Sequence, residues 1–242
     1  MVYFVGAGPG ASDLITVRGM KLLGLADIVI YAGSLVNPEL LEFCKKGCQI
    51  YDSSTMVLEE VIDVMRESER KNMMTVRLHT GDPSIFGAVR EQMDELDRLG
   101  ISYESCPGVS SFCGAAASLN MEYTLPGISQ KVTLERIAGR TPVPEGVTRI
   151  FFLSASHADK LVESLLEEGV PKNMPTAVVY KATWPDEKTI VCTLEELPCA
   201  MKNAGIDKTG LIIVGQVIAC RDFTRSCLYD SSFSTGFRKA AR

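Results

Sequence analysis

Val2-Tyr3-Phe4-Val5-Gly6-Ala7-Gly8-Pro9-Gly10 is the stretch on which the fold turns. Four apolar residues running into a glycine-rich turn read as a buried strand followed by a tight strand-to-helix connection. A helix to about residue 26 follows, with Ser12 or Asp13 as its expected N-cap. Residues 27–31, Asp-Ile-Val-Ile-Tyr, read as a second strand. Short apolar strands separated by helices indicate a parallel sheet covered on both faces. The glycine turn then lies at the carboxyl edge of that sheet, where open α/β folds bind ligands.

The pattern continues outward. Residues 57–71 predict a helix, because Val57, Val61 and Met65, with Leu58 and Ile62, recur at helical spacing while Glu59, Glu60, Asp63, Arg66 and Glu67 fall opposite. Residues 73–78 read as a strand, 86–99 as a helix stopped by Gly100, and 101–105 as another strand. The first ~110 residues thus form a β/α unit of about four strands. In the second half, residues 111–119 form a small-residue helix, and 149–153, 176–181, 189–192 and 211–218 read as strands. Helices are expected over 157–168 and 195–204. These strands are less strictly separated by helices, so a mixed sheet is expected. The predicted class is α/β with two α/β domains: 1–113, mainly parallel, and 114–242, mixed and ending in a short basic tail.

The chain has 242 residues with 25 basic and 30 acidic side chains, a net charge of −5. Hydrophobic residues make up 46%, enough apolar surface to argue against a disordered chain. No run reaches the ~20 apolar residues of a membrane helix. The first basic residue is Arg18, so a charged signal-peptide start is not expected, and the predicted setting is cytoplasmic. The acidic balance argues against nucleic acid as the main partner. Eight cysteines include no C-x-x-C pair and are read as reduced thiols, with no metal site expected.

The first loop is not a dinucleotide fingerprint. Its third glycine comes one residue early, Pro9 removes an N–H, and no Lys-Ser or Lys-Thr follows as in a P-loop. Two further loops belong on the same sheet edge: residues 80–87, Thr-Gly-Asp-Pro-Ser-Ile-Phe-Gly, and 107–111, Pro-Gly-Val-Ser-Ser. Asp82 either caps a helix beginning near Ser84 or meets a ligand. Ser110 and Ser111 carry the same two readings. His79 is either a proton acceptor or a structural hydrogen-bonder. Trp184 with Tyr180 either covers a ligand ring or packs.

Taken together these loops resemble the tetrapyrrole methylase family of S-adenosylmethionine-dependent enzymes, over nearly the whole chain. Val5-Gly6-Ala7-Gly8-Pro9-Gly10 with Asp13-Leu14-Ile15-Thr16 is similar to the family's opening motif. Gly81-Asp82-Pro83 with Phe86-Gly87 is similar to the second, and Pro107-Gly108-Val109-Ser110-Ser111 to the third. Residues 31–38, 122–127 and 136–144 resemble the branch acting at the precorrin-4 stage of cobalamin synthesis. The resemblance implies two domains with a cleft between them, a homodimer and S-adenosylmethionine as cofactor. Cofactor contacts carried over by motif are Pro9, Thr80, Gly81, Asp82, Ile85, Ser110, Ser111, Leu153 and Ala182. The reaction implied is methyl transfer to ring carbon 11 of precorrin-4 or its cobalt form, a corrinoid tetrapyrrole.

Family members that methylate uroporphyrinogen carry an acid directly after the second strand's Tyr. Ala32 stands there in this chain, so a base from that branch has no counterpart and the catalytic base is left unassigned. The substrate is a polycarboxylate and the chain is acidic, so local basic groups must compensate. Arg136 and Arg140 are the candidates, since guanidinium groups grip carboxylates bidentately; the other reading is ordinary surface arginine. Tyr31, Ser34 and Asn37 are candidate trough residues. A sibling methylase working on another corrin carbon is the alternative.

Overall fold

In the computed structural model, β1 (Val2–Gly6) is an interior strand, paired in parallel on both sides, of a fully parallel sheet flanked by helices on both faces. The structure describes residues 1–136, 146–220, 223, 224, 226 and 229–240. The chain forms two compact units: Met1–Ala115 with Lys181–Glu187, and Ala116–Tyr180 with Lys188–Arg242.

In the first unit, β1 is followed by α1 (Val17–Leu25), β2 (Ile28–Tyr31), β3 (Gln49–Asp52), α2 (Leu58–Arg70), β4 (Thr75–His79), α3 (Arg90–Leu99) and β5 (Tyr103–Cys106), and α4 (Ser111–Ser118) spans the boundary at Ala115. The strand order is β3-β2-β4-β1-β5. Five strands stand where the sequence predicts about four; the extra one, β3, is a mostly exposed edge strand. The N-cap of α1 is Thr16, whose Oγ1 accepts from Gly19 N at 3.1 Å. Ser12 and Asp13 instead belong to a single 3-10 turn, Ser12–Leu14, because the chain straightens again at Ile15.

Alternation along the strands divides the first unit's interior into two cores. Val5, Val29, Val76 and Leu78 pack with Leu23 of α1 on one face. Val2, Phe4, Ile28 and Ile30 pack with Val61, Ile62, Met65 and Leu96 of α2 and α3 on the other. Full burial of each such side chain is worth about 1.5–3 kcal/mol. Gly100, at φ +67°, ends α3 as its position predicts.

The second unit holds β6 (Lys131–Glu135), β7 (Val147–Phe151), α5 (Ala158–Glu167), β8 (Pro175–Tyr180), β9 (Lys188–Thr193), α6 (Leu197–Ala204) and β10 (Gly210–Val214). The order is β6-β7-β10-β8-β9; β6 and β7 are parallel and every other pair antiparallel, the mixed sheet expected. Phe151, Val178 and Ile212 pack against Leu161, Leu165, Leu197 and Met201 of α5 and α6. Arg149, buried on β7, donates from Nε and Nη2 to Glu135 at 2.9 and 2.6 Å and from Nη1 to Glu168 at 2.7 Å. Among the described residues no helix is long and apolar enough to cross a membrane.

Candidate functional site

The three loops singled out in the sequence meet at the carboxyl edge of the parallel sheet. Ala7 N donates to His79 O at 2.7 Å, and Gly81 N to Gly8 O at 2.8 Å, so the loops after β1 and β4 run side by side. The loop after β5 closes on both. A Cβ on Gly108 would lie 2.2 Å from Gly81 O and 2.7 Å from Gly6 Cα. Glycine is required here because three backbones cross within van der Waals contact.

Asp82 is the polar tie of this crossing. Its Oδ2 accepts from Gly108 N at 2.8 Å; its Oδ1 accepts from Ser84 N at 2.8 Å and from Ser84 Oγ. No helix starts at Ser84; residues 83–86 form a turn and α3 begins at Arg90. The carboxylate therefore joins the second loop to the third instead of capping a helix there. Burial pushes its pKa up, but the bonds from Ser84 and Gly108 outweigh this and leave it below the ordinary carboxylate range.

The helix expected from residue 86 starts four residues late because Phe86 and Ala88 take φ of +52° and +48°. Left-handed backbone costs a non-glycine residue about 1–2 kcal/mol, and such costs concentrate at functional sites. Lys181 and Thr183, in the β8–β9 connection, share this conformation at +48° and +66°. That connection belongs to the first unit and packs on the first loop. Ala11 N donates to Thr183 Oγ1 at 2.9 Å, and a Cβ on Gly10 would lie 2.5 Å from Ala182 O and 2.2 Å from Trp184 Cδ1. Trp184 is thus a packing residue of the first loop.

Pro9, Thr80, Gly81, Asp82, Ile85, Ser110, Ser111 and Ala182 all fall in the first unit, on these loops. Thr80 is exposed, Ile85 and Ser111 are half-buried, and Pro9, Gly81, Ser110 and Ala182 are buried. Leu153 and Arg136 belong to the second unit. Leu153 lies two residues beyond Phe151, the end of β7, at φ +53° and with 61% of its surface exposed, unusual for a leucine. Arg136 is exposed just beyond β6. Arg140 lies outside the described residues.

Tyr31 ends β2 half-buried, and Ser34 is exposed three residues on. Asn37 is buried: its Nδ2 donates to Gly10 O at 3.0 Å and its Oδ1 accepts from Glu39 N at 3.0 Å. Its side chain ties the second strand's loop to the first. Beside Ala32 lies a carboxylate that the sequence reading passes over. Asp52, at the end of β3, accepts from Gly33 N at 2.9 Å through Oδ1, and Tyr31 is its register partner. The backbone N–H groups of Ser54 and Gly33 hold its pKa below the ordinary value.

His79 is buried at the end of β4, with Nε2 lacking a partner among the described residues. Burial, then the Arg77 charge, pull its pKa down to about 3. An imidazole held that low is a weak proton acceptor at neutral pH. Arg77 and Gln92 are also buried, and sequence reasoning misses both. Their signal is a charge in the middle of an apolar central strand and a polar residue four before Leu96 on a helix's inner stripe.

The donor set is mainly hydroxyl and backbone groups with one ionised carboxylate, and the first loop's proline removes an N–H. This suits an adenosyl amino-acid cofactor better than a pyrophosphate. Glycine-crossed loops over a parallel sheet, with a second mixed-sheet unit, define a two-unit α/β protein with a small-molecule site. The chain belongs to the tetrapyrrole (corrin/porphyrin) methylases, whose family profile matches residues 1–198. It is 49% identical to the cobalt-precorrin-4 C(11)-methyltransferase of Methanocaldococcus jannaschii, over 99% of this chain and 96% of that one. The solved structure of a cobalamin-biosynthetic cobalt-precorrin-4 methyltransferase superposes with a TM-score of 0.85 at 42% identity, covering 90% of this chain and 96% of the other. A uroporphyrin-III C-methyltransferase from Thermus thermophilus, solved with S-adenosylhomocysteine, gives 0.75 at 27% identity over 90% and 93%.

Proposed function

We propose that this chain is an S-adenosylmethionine-dependent methyltransferase of cobalamin biosynthesis. It methylates ring carbon 11 of precorrin-4 or its cobalt form, giving (cobalt-)precorrin-5 and S-adenosylhomocysteine. The observation that carries this reading is 49% identity over essentially the full length of both chains to a relative named for that reaction. The cobalt is part of the substrate.

When bound, S-adenosylmethionine supplies an electrophilic sulfonium methyl, so no covalent enzyme nucleophile is required. The chain's contribution is placement, and well-oriented reactants can lower a barrier by up to about 7–11 kcal/mol. Thr80, Ser110 and Ser111 offer hydroxyls and Gly81 bare backbone to the cofactor. Asp82 keeps the loop carrying them fixed through Gly108 and Ser84. Pro9, Ile85, Leu153 and Ala182 complete the proposed set, with exposed Leu153 giving apolar surface for the adenosyl group. Tyr31 and Ser34 line the corrinoid side, and Arg136 and Arg140 receive substrate carboxylates. Asn37 serves that side through its bond to Gly10.

We assign residues 1–113 to substrate and part of the cofactor, and 114–242 to the remaining cofactor contacts. The placement of the protein as a cytoplasmic homodimer is supported by the family resemblance and by reading its cysteines as reduced thiols. The test is anaerobic incubation with S-adenosylmethionine and precorrin-4, with and without cobalt, followed by mass spectrometry and NMR. One methyl added at ring carbon 11 is expected. Methylation at a different carbon, or none despite S-adenosylhomocysteine binding, would refute the substrate assignment and leave a sibling methylase.

A further inference from the structure

Arg77 lies in mid-strand on β4, 8% exposed, and among the described residues has no carboxylate partner. Burial pulls its pKa down to about 10, which still leaves it charged at neutral pH. A buried cation without a counter-charge is expensive, and apolar side chains commonly serve such positions better. Its hydrogen bonds show what the charge is held for. Nε donates to Gln92 Oε1 at 3.1 Å, and Nη1 donates to Ile30 O at 3.2 Å. Gln92 in turn donates from Nε2 to Ala88 O at 3.0 Å.

Both ends of this relay are at the site. Ala88, with Phe86, is one of the two left-handed residues that close the second loop. The Gln92 side chain meets a carbonyl four residues back, the place where a backbone N–H would bond if α3 started a turn earlier. It thus anchors the loop in a conformation its own backbone disfavours. Ile30 directly precedes Tyr31, where the proposed corrinoid segment begins. One guanidinium therefore fixes the root of the substrate segment and, through Gln92, the end of the methyl-donor loop.

We propose that Arg77 and Gln92 are positioning residues that set the second loop for S-adenosylmethionine. This rests on the placing of the cofactor on residues 80–85. The discriminating variant is Gln92→Glu. A carboxylate still accepts from Arg77, now as an ion pair, so stability is retained. It has no N–H for Ala88 O, so the loop tie is lost. Calorimetric affinity for S-adenosylhomocysteine should fall about tenfold while Tm stays at or above the parent's.

Exposed Thr80→Arg, which blocks the loop's face, tests the underlying placement in parallel. If Thr80→Arg loses affinity but Gln92→Glu binds like the parent, the relay proposal fails alone. If Thr80→Arg also binds like the parent, the cofactor placement fails and the proposal with it. Should Gln92→Glu prove unstable, Arg77→Met/Gln92→Leu removes both polar partners together and preserves packing. An affinity loss of about tenfold in that double variant supports the relay, and parental affinity overturns it.

Discussion

Lowering the pH from 7.5 to 5 should destabilise this protein through one imidazole. His79 is buried, and burial first, then the charge of Arg77, depress its pKa from 6.5 to about 3. At pH 7.5 the imidazole is neutral in folded and unfolded chains alike. At pH 5 the unfolded chain binds a proton there and the folded chain does not. Stability is therefore complete above about 6.5 and falls as the pH drops toward the folded value. At pH 5 the solution is about 1.5 units below the unfolded value, and each unit is worth about 1.4 kcal/mol, so the loss is ~2 kcal/mol. Any folded value below about 4 gives nearly the same result, so the figure depends little on how deep the depression goes. For a chain of this size ~2 kcal/mol lowers Tm by about 4–8 °C. The assay is urea unfolding at both pH values for the parent and His79→Gln. Carboxylates titrate in both proteins, so the difference between their pH responses isolates His79. A difference under about 0.5 kcal/mol would refute the reasoning, because protonation would then cost the folded state almost nothing.

Gly108→Ala should lower both Tm and S-adenosylhomocysteine affinity, because its Cβ would sit 2.2 Å from the Gly81 carbonyl, where only backbone movement relieves the clash; thermal melts and calorimetry read both. Leu153→Gly should separate the two quantities: removing a left-handed leucine stabilises by up to about 1 kcal/mol, while loss of its exposed apolar surface weakens cofactor binding. Arg149→Met should cost about 3–5 kcal/mol in urea melts by leaving Glu135 and Glu168 without their shared cation.

The central strands and most helices were legible because burial on two faces forces apolar runs and burial on one forces a helical stripe. β3 and β6 escaped notice for the same reason as each other: both are sheet edges, where solvent on one flank permits polar residues. Gln49 to Asp52 holds only two apolar residues, Ile50 and Tyr51, between polar ends, and Lys131 to Glu135 alternates only over a half-buried surface. The glycine loops were legible as loops because backbone crossing leaves glycine no substitute. Their detailed geometry was not. Thr16 displaced Ser12 and Asp13 as the α1 cap because the intervening residues straighten at Ile15. Phe86 and Ala88 have ordinary side chains, and nothing in their identity announces a positive φ. That conformation depends on partners distant in sequence, and its support is the costly part. A buried arginine on β4 and a buried glutamine on α3 are held in the interior of the first unit, where apolar side chains pack at lower cost. Departures from the apolar pattern at Arg77 and Gln92 thus point to the loop that the pattern itself could not describe.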